Sequence, residues 1–418
     1  MFPYTPSYPG FTVQRGGNMP VVRRKVTLLC MTLNIFFCLL MAISWSLRSD
    51  KSSSQKIRIP STRFWRKLVP SKSFWNREQQ YLDIIHNTNV NFVFSVSNPV
   101  TVLPDWLNDT GPTETCEPDY RVPIQISDYN SLPQRLRDFL LHMRCRTYPL
   151  LINQPYLCRE KPFLLLVVKS MVPHFDRRQA IRETWGRAGM VANQTVATVF
   201  LLGNTIPLDH HPDLQRMLLH EETLHKDLLQ WDYRDSFFNL TVKEVLFLEW
   251  FNQNCTQAKF VLKGDDDVFV NTLRIIEFLG NLSDSRAREL FIGDVISNAG
   301  PHRNHKLKYF IPESFFEGKY PPYAGGGGYL YSGELASQLY SASQQVALFP
   351  IDDVYTGMCL KKLGVVPVKH PGFRTFGIEK KHRDNPCVYR SLMLVHSLTP
   401  QEMLSVWPWI IHPELDCQ

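Results

Sequence analysis

No two cysteines stand in a CxxC spacing, no zinc-finger or RNP-type motif occurs, and no segment repeats. These absences argue in turn against a structural zinc site, the common nucleic-acid readers and a repeat architecture. A basic body is missing too. The 418 residues sum to +7, but residues 1–70 alone carry +10, with Asp50 their only acid. The rest of the chain is slightly acidic and offers no stripe for a phosphate backbone, which excludes nucleic acid as a partner.

Charge is absent altogether from Val26–Trp45, "VTLLCMTLNIFFCLLMAISW". A helix of that length spans roughly 30 Å, the hydrocarbon thickness of a bilayer. A secretory signal peptide is the alternative, but its apolar core is usually about 7 to 15 residues and ends at small residues, whereas this run ends in Trp45. The reading is a retained anchor. Arg23, Arg24 and Lys25 abut its start and favour a cytoplasmic N-terminus, although Arg48, Lys51, Lys56 and Arg58 follow on the other side. Five glycosylation sequons, at Asn108, Asn193, Asn239, Asn254 and Asn281, all lie after the run and suit a lumenal body. Seven cysteines follow it as well, and in an oxidising lumen most are expected in disulfides, with at least one left over.

The expected organisation is a cytoplasmic tail (1–25), an anchor (26–45), a polar and irregular stem (46–115), an extension (116–158) and one large domain (159–418). The extension holds a helix-like stretch, "PQRLRDFLLHMRCR". In the large domain apolar runs alternate with amphipathic segments, the mark of an α/β layer architecture. Strands are expected at 163–170, 197–203, 259–263, 290–296 and 328–332, and helices at about 176–185, 240–252, 272–280, 333–343 and 354–363.

Four stretches can carry chemistry. In "PHFDRRQAIRETWG", Asp176 and Gln179 have capping-box spacing, and Arg178 and Arg182 share a helix face, either as a solvated basic surface or as anion contacts near a helix N-terminus. "KGDDDVFVN" places Asp265, Asp266 and Asp267 after an apolar strand. An EF-hand fails there, with Val270 where the loop needs Gly and Ile276 where it needs Glu. An Asx turn or a charged bump remains, but carboxylates two apart at a strand end can converge on Mg²⁺ or Mn²⁺. "PPYAGGGGYLYS" is too rich in tyrosine for a flexible linker. It reads as a structural bulge or as a strand that another group approaches closely. In "FPIDDVYTGMCLKKLG", one of Asp352 and Asp353 can cap the helix that Gly364 ends, leaving the other free as a base.

Together with "FLLG" and "DYRDSFFNLTVK", these motifs resemble, in order and spacing, those of the β1,3-glycosyltransferases of glycosyltransferase family 31, over roughly residues 160–400. The likeness runs to members that add N-acetylglucosamine. It implies an α/β GT-A glycosyltransferase fold, a Rossmann-like mixed sheet flanked by helices, behind an N-terminal transmembrane helix and stem. It also implies a single-pass type II Golgi membrane enzyme, free or in a homo-oligomer or complex with other Golgi glycosyltransferases. The reaction implied is inverting transfer from UDP-GlcNAc to the 3-hydroxyl of terminal galactose in lactosamine glycans, with Mn²⁺ or Mg²⁺. By position, Asp265, Asp267 and His396 become metal ligands and Asp353 the catalytic base. Arg178, Arg182, Asp235, Lys243 and Asp266 fall on the donor side, and Tyr309, Tyr323, Gly326, Gly327 and Asp352 on the acceptor side. The rival readings are a β1,3-galactosyltransferase and a membrane-anchored glycan-binding partner without catalysis.

Overall fold

A computed structural model describes residues 71–86, 116–205, 214–412 and Cys417, all within one compact unit. The expected tail and anchor, Asn108 and much of the expected stem lie outside the described residues. Among the described helices none is long and apolar enough to cross a membrane.

The centre is β2 (Leu164–Lys169), "LLLVVK", buried at every residue because helices cover both faces of its sheet. Its alternate residues feed two cores: Leu165 and Val167 join one, Leu164, Leu166 and Val168 the other. On one side β2 pairs in parallel with β4 (Gln194–Asn204), which pairs in parallel with β5 (Leu228–Arg234). β1 (Leu150–Ile152) closes that edge against β5, and β3 (Gly189–Val191) forms a hairpin with β4. On the other side β2 pairs in parallel with β6 (Phe260–Asp265). Beyond β6 come the antiparallel β9 (Tyr323–Ser332), then β8 (Phe291–Ile296) and β10 (Val368–Lys369). This is a mixed sheet of nine strands flanked by helices. A small second sheet joins β7 (Val268–Val270), β12 (Leu394–His396) and β11 (Phe373–Arg374).

The chain leaves β2 for β4 on one flank and returns as β6 on the other. Reversal of winding between adjacent parallel strands opens a crevice past their carboxyl ends. Lys169 and Asp265, in register at those two ends, sit at its floor.

The five expected strands and five expected helices are all present, shifted by a few residues at their ends. β9 is the largest shift, because the glycines themselves extend it back to Tyr323. Three readings are corrected. Residues Phe74–His86, placed in the stem, form a helix whose Phe74 and Trp75 are fully buried, with the Trp75 indole donating to the Ala347 and Leu348 carbonyls. The extension is likewise part of the main core, through Leu136, Phe139 and Leu140 and through β1 in the large sheet. Asp176 is not a cap. The helix Phe175–Glu183 starts after His174, whose ring is turned to Asp266, so Asp176 lies inside the first turn and Gln179 donates to Glu183 instead.

Three disulfides, Cys116–Cys145, Cys158–Cys255 and Cys387–Cys417, account for six of the seven cysteines after the apolar run. The seventh, Cys359, is a buried free thiol whose pKa burial pushes up to about 12.

Candidate active site

Two carboxylates and a lysine meet where β2 and β6 end. The Lys169 ammonium lies 2.8 Å from Asp265 Oδ1 and 2.8 Å from Asp352 Oδ2, with only 3% of its side chain exposed. Burial works against its charge, but Asp265, Asp352 and Asp353 outweigh it and hold its pKa well above the ordinary lysine value.

After Asp265 the chain turns through Asp266 and Asp267 into β7, crossing from the large sheet to the small one. Antiparallel pairing sets His396 opposite Val268, so the ring arrives beside Asp267, 3.3 Å from Nε2 to Oδ1. One ligand atom each from Asp265, Asp267 and His396 can gather within 4.8 Å. The His396 Nδ1 lies 2.7 Å from the Thr375 carbonyl. With Nδ1 donating there, Nε2 is turned toward the acids with its lone pair available, the arrangement usual for a metal-binding imidazole. Two hard carboxylates and one imidazole suit a divalent cation. The bond to Asp267, despite burial, raises the His396 pKa.

Asp266 turns the other way. Its oxygens accept from Ser170 Oγ at 2.7 Å, His174 Nδ1 at 2.7 Å and Arg177 Nη1 at 2.8 Å. Burial alone would raise its pKa; these donors hold it below the usual carboxylate range.

Asp352 and Asp353 both lie in the first turn of the helix Asp352–Leu363, which Gly364 ends in a left-handed conformation. Neither caps it, since the residue before the helix is Ile351. Asp352 is anchored by Lys169. Asp353 has a buried Oδ1 without a hydrogen-bond partner, and its pKa is driven well up by burial and then by the neighbouring Asp352. That makes it a more basic carboxylate than a free aspartate.

Gly326 and Gly327 explain the glycine run. A Cβ at Gly326 would lie 2.9 Å from Asp353 Oδ2, and one at Gly327 would lie 2.9 Å from the His396 Cβ. Bare backbone is needed for both side chains to reach β9. Tyr323 starts the same strand, its pKa pushed up to about 12 by burial and by Asp353. Tyr309 is 44% exposed, and burial followed by Asp353, Asp352 and Asp265 raises its pKa too, which sets its hydroxyl in the field of the same acids.

Of the residues expected on the donor side, Arg178, Arg182, Asp235 and Lys243 are held by partners within the protein. Arg178 is fully buried, paired through Nε and Nη2 with Glu221 at 2.8 and 2.7 Å. Arg182 pairs with Asp227 and also reaches Glu221. Lys243 binds Asp235 and the Ser170 carbonyl, while Asp235 also accepts from the Gly203 amide. Arg177, with a third of its side chain exposed, is the guanidinium beside Asp266 and Asp267.

Sequence reasoning missed Lys169, Ser170, His174, Arg177 and Glu221. A lysine closing an otherwise apolar strand was the available signal for Lys169; Glu221 gave none. Of the sequons, Asn193 and Asn281 are exposed and Asn239 and Asn254 half-buried; Asn239, Asn254 and Asn281 donate their amides to the Arg234, Trp250 and Glu277 carbonyls.

Residues 176–371 match the galactosyltransferase family model. The chain is 54% identical over 96% of its length, and all of the relative's, to N-acetyllactosaminide beta-1,3-N-acetylglucosaminyltransferase 2 of Mus musculus. This chain belongs to the galactosyltransferase family. The Homo sapiens counterpart is 53% identical over the same shares. UDP-GlcNAc:betaGal beta-1,3-N-acetylglucosaminyltransferase 7 of Rattus norvegicus is 46% identical over 69% of this chain and 74% of its own. The family match covers both β6 with its acids and the helix bearing Asp353, while His396 lies beyond it.

Proposed function

We propose that this family member is an inverting β1,3-N-acetylglucosaminyltransferase with a GT-A fold, which moves GlcNAc from UDP-GlcNAc to the 3-hydroxyl of terminal galactose in lactosamine chains. The names of its relatives support that donor and acceptor. The observation that carries the chemistry is the approach of Asp353 and His396 to consecutive glycines of one strand, which sets a raised-pKa carboxylate beside a cation site.

When bound, Mn²⁺ or Mg²⁺ on Asp265, Asp267 and His396 would offset the negative charge that develops on the departing diphosphate. Asp353 supplies the rest. A sugar hydroxyl is too weak an acid to be deprotonated in advance, so the carboxylate accepts its proton while the new bond to C1 forms and the bond to diphosphate breaks. The high pKa makes Asp353 a stronger proton acceptor at that moment. One base and one displacement, with no covalent intermediate, turn an α-linked donor into a β-linked product. Lys169 keeps Asp352 ionised and still beside the base, and Tyr309 and Tyr323 offer hydroxyls and ring faces to the acceptor. A Golgi membrane setting, with the body lumenal, belongs to the same proposal and rests on the sequence of Val26–Trp45 and on the disulfides.

A donor panel tests this reading: residues 46–418, Mn²⁺, N-acetyllactosamine, and UDP-GlcNAc, UDP-Gal, UDP-GalNAc or UDP-Glc, with product mass as readout. Transfer from UDP-GlcNAc that a chelator abolishes is expected. Transfer from UDP-Gal instead would make it a galactosyltransferase, and glycan binding without any transfer would make it a lectin-like partner.

A further inference from the structure

Ser170, the residue after β2, is a four-way junction. Its amide donates to the Leu201 carbonyl at 3.0 Å, and its own carbonyl accepts from the Lys243 ammonium. Its hydroxyl donates to Asp266 Oδ2 at 2.7 Å and accepts from Arg178 Nη1 at 3.2 Å. Arg178 also clamps the Met171 and Val172 carbonyls, fixing the turn that Ser170 begins. The guanidinium is fully buried, and its charge is met by Glu221 on the helix Leu214–His225. Burial favours the neutral form of Glu221, but Arg178 and Arg182 overcome it and keep the carboxylate ionised.

The path therefore runs Glu221, Arg178, Ser170, Asp266, and it ends between Asp265 and Asp267. Those neighbours carry two of the three candidate ligand atoms, so a shift of the backbone at Asp266 would carry both with it. Asp266 itself is not among the three. A buried side chain bound by three donors in the middle of a ligand loop acts as its anchor.

We propose that Ser170, Arg178 and Glu221 are positioning residues for the cation site, holding Asp266 so that Asp265 and Asp267 present their oxygens at a fixed separation. This rests on the cation reading of Asp265, Asp267 and His396. The buried arginine of the "DRRQAIRE" helix thus acts on affinity for the divalent ion from behind the ligand loop and contacts neither ion nor donor. A merely structural role for the network would lower stability and leave ion affinity alone.

The test is Mn²⁺ titration of the chelator-stripped protein, free Mn²⁺ being followed by electron paramagnetic resonance, alongside the melting temperature. Ser170→Ala breaks the link to Asp266 but keeps the Arg178–Glu221 pair. It is expected to weaken Mn²⁺ binding about 10- to 100-fold, the range usual for residues that support metal ligands, while kcat at saturating Mn²⁺ is retained. Glu221→Gln acts further back. If both work through one path, the double variant binds Mn²⁺ no worse than Ser170→Ala. Wild-type Mn²⁺ affinity in Ser170→Ala, or losses that multiply in the double variant, overturns the inference while leaving the cation reading in place. Failure of the unaltered protein to bind Mn²⁺ would instead overturn the cation reading, and this inference with it.

Discussion

Gly326 and Asp353 face each other so closely that a single methyl group on the glycine would come within 2.9 Å of a carboxylate oxygen. Gly326→Ala therefore pushes the base aside without opening a cavity. The α/β core does not depend on this contact, so the fold should survive. A displacement of about 1 Å at a reacting group can cost roughly 100-fold in rate. We expect a fall of that order in kcat, with Mn²⁺ affinity and the circular dichroism spectrum unchanged.

Lys169 bridges Asp265 and Asp352 from a buried position. Lys169→Met removes the charge and leaves the half-buried Asp265 and the buried Asp352 without their cation, a kind of change that costs about 3–5 kcal/mol. Chemical denaturation should show a loss of that order. The double variant Lys169→Met with Asp352→Asn should recover part of it, because one stranded charge is gone.

Proton binding by Asp353 gives a signed pH dependence. Burial first, then Asp352, raise its pKa above that of a free aspartate, near 3.9. The base must be ionised, so kcat/KM at saturating Mn²⁺ should rise with pH through a pKa above the ordinary aspartate range. Asp352→Asn removes the neighbouring charge and should move that limb to lower pH. Stability runs in the opposite sense. The folded state holds this proton more tightly than the unfolded one, so the contribution is full below the unfolded pKa and is lost as pH rises through the folded value. Asp353→Asn should abolish that loss in melting curves taken across the same pH range.

The large sheet was legible because its strands are long, apolar and punctuated by helices, as in "FLLLVVKS" and "KFVLK". The small sheet was not: β7, β11 and β12 have three, two and three residues, too few to show any period. Yet β12 is what delivers His396, a residue assigned only through family resemblance. The helix Phe74–His86 hid for a different reason. Its inward face includes Asn76, Glu78 and Gln79, polar residues that read as solvated but are buried against Glu317, Arg144 and the Ala347 amide. Arg178 and Arg182 were rightly placed on one helix face, since both reach Glu221. Their inward direction depended on an acid 43 positions away from Arg178, which local pattern cannot supply.

The most direct test of the account is Asp353→Asn, measured for turnover with UDP-GlcNAc and N-acetyllactosamine and, separately, for Mn²⁺ binding. The amide keeps the size of the carboxylate and cannot take the acceptor proton. The account predicts a loss in kcat of about 10²- to 10⁴-fold, the usual weight of a general base, with Mn²⁺ affinity intact because Asp265, Asp267 and His396 are untouched. Near wild-type turnover in that variant would contradict it.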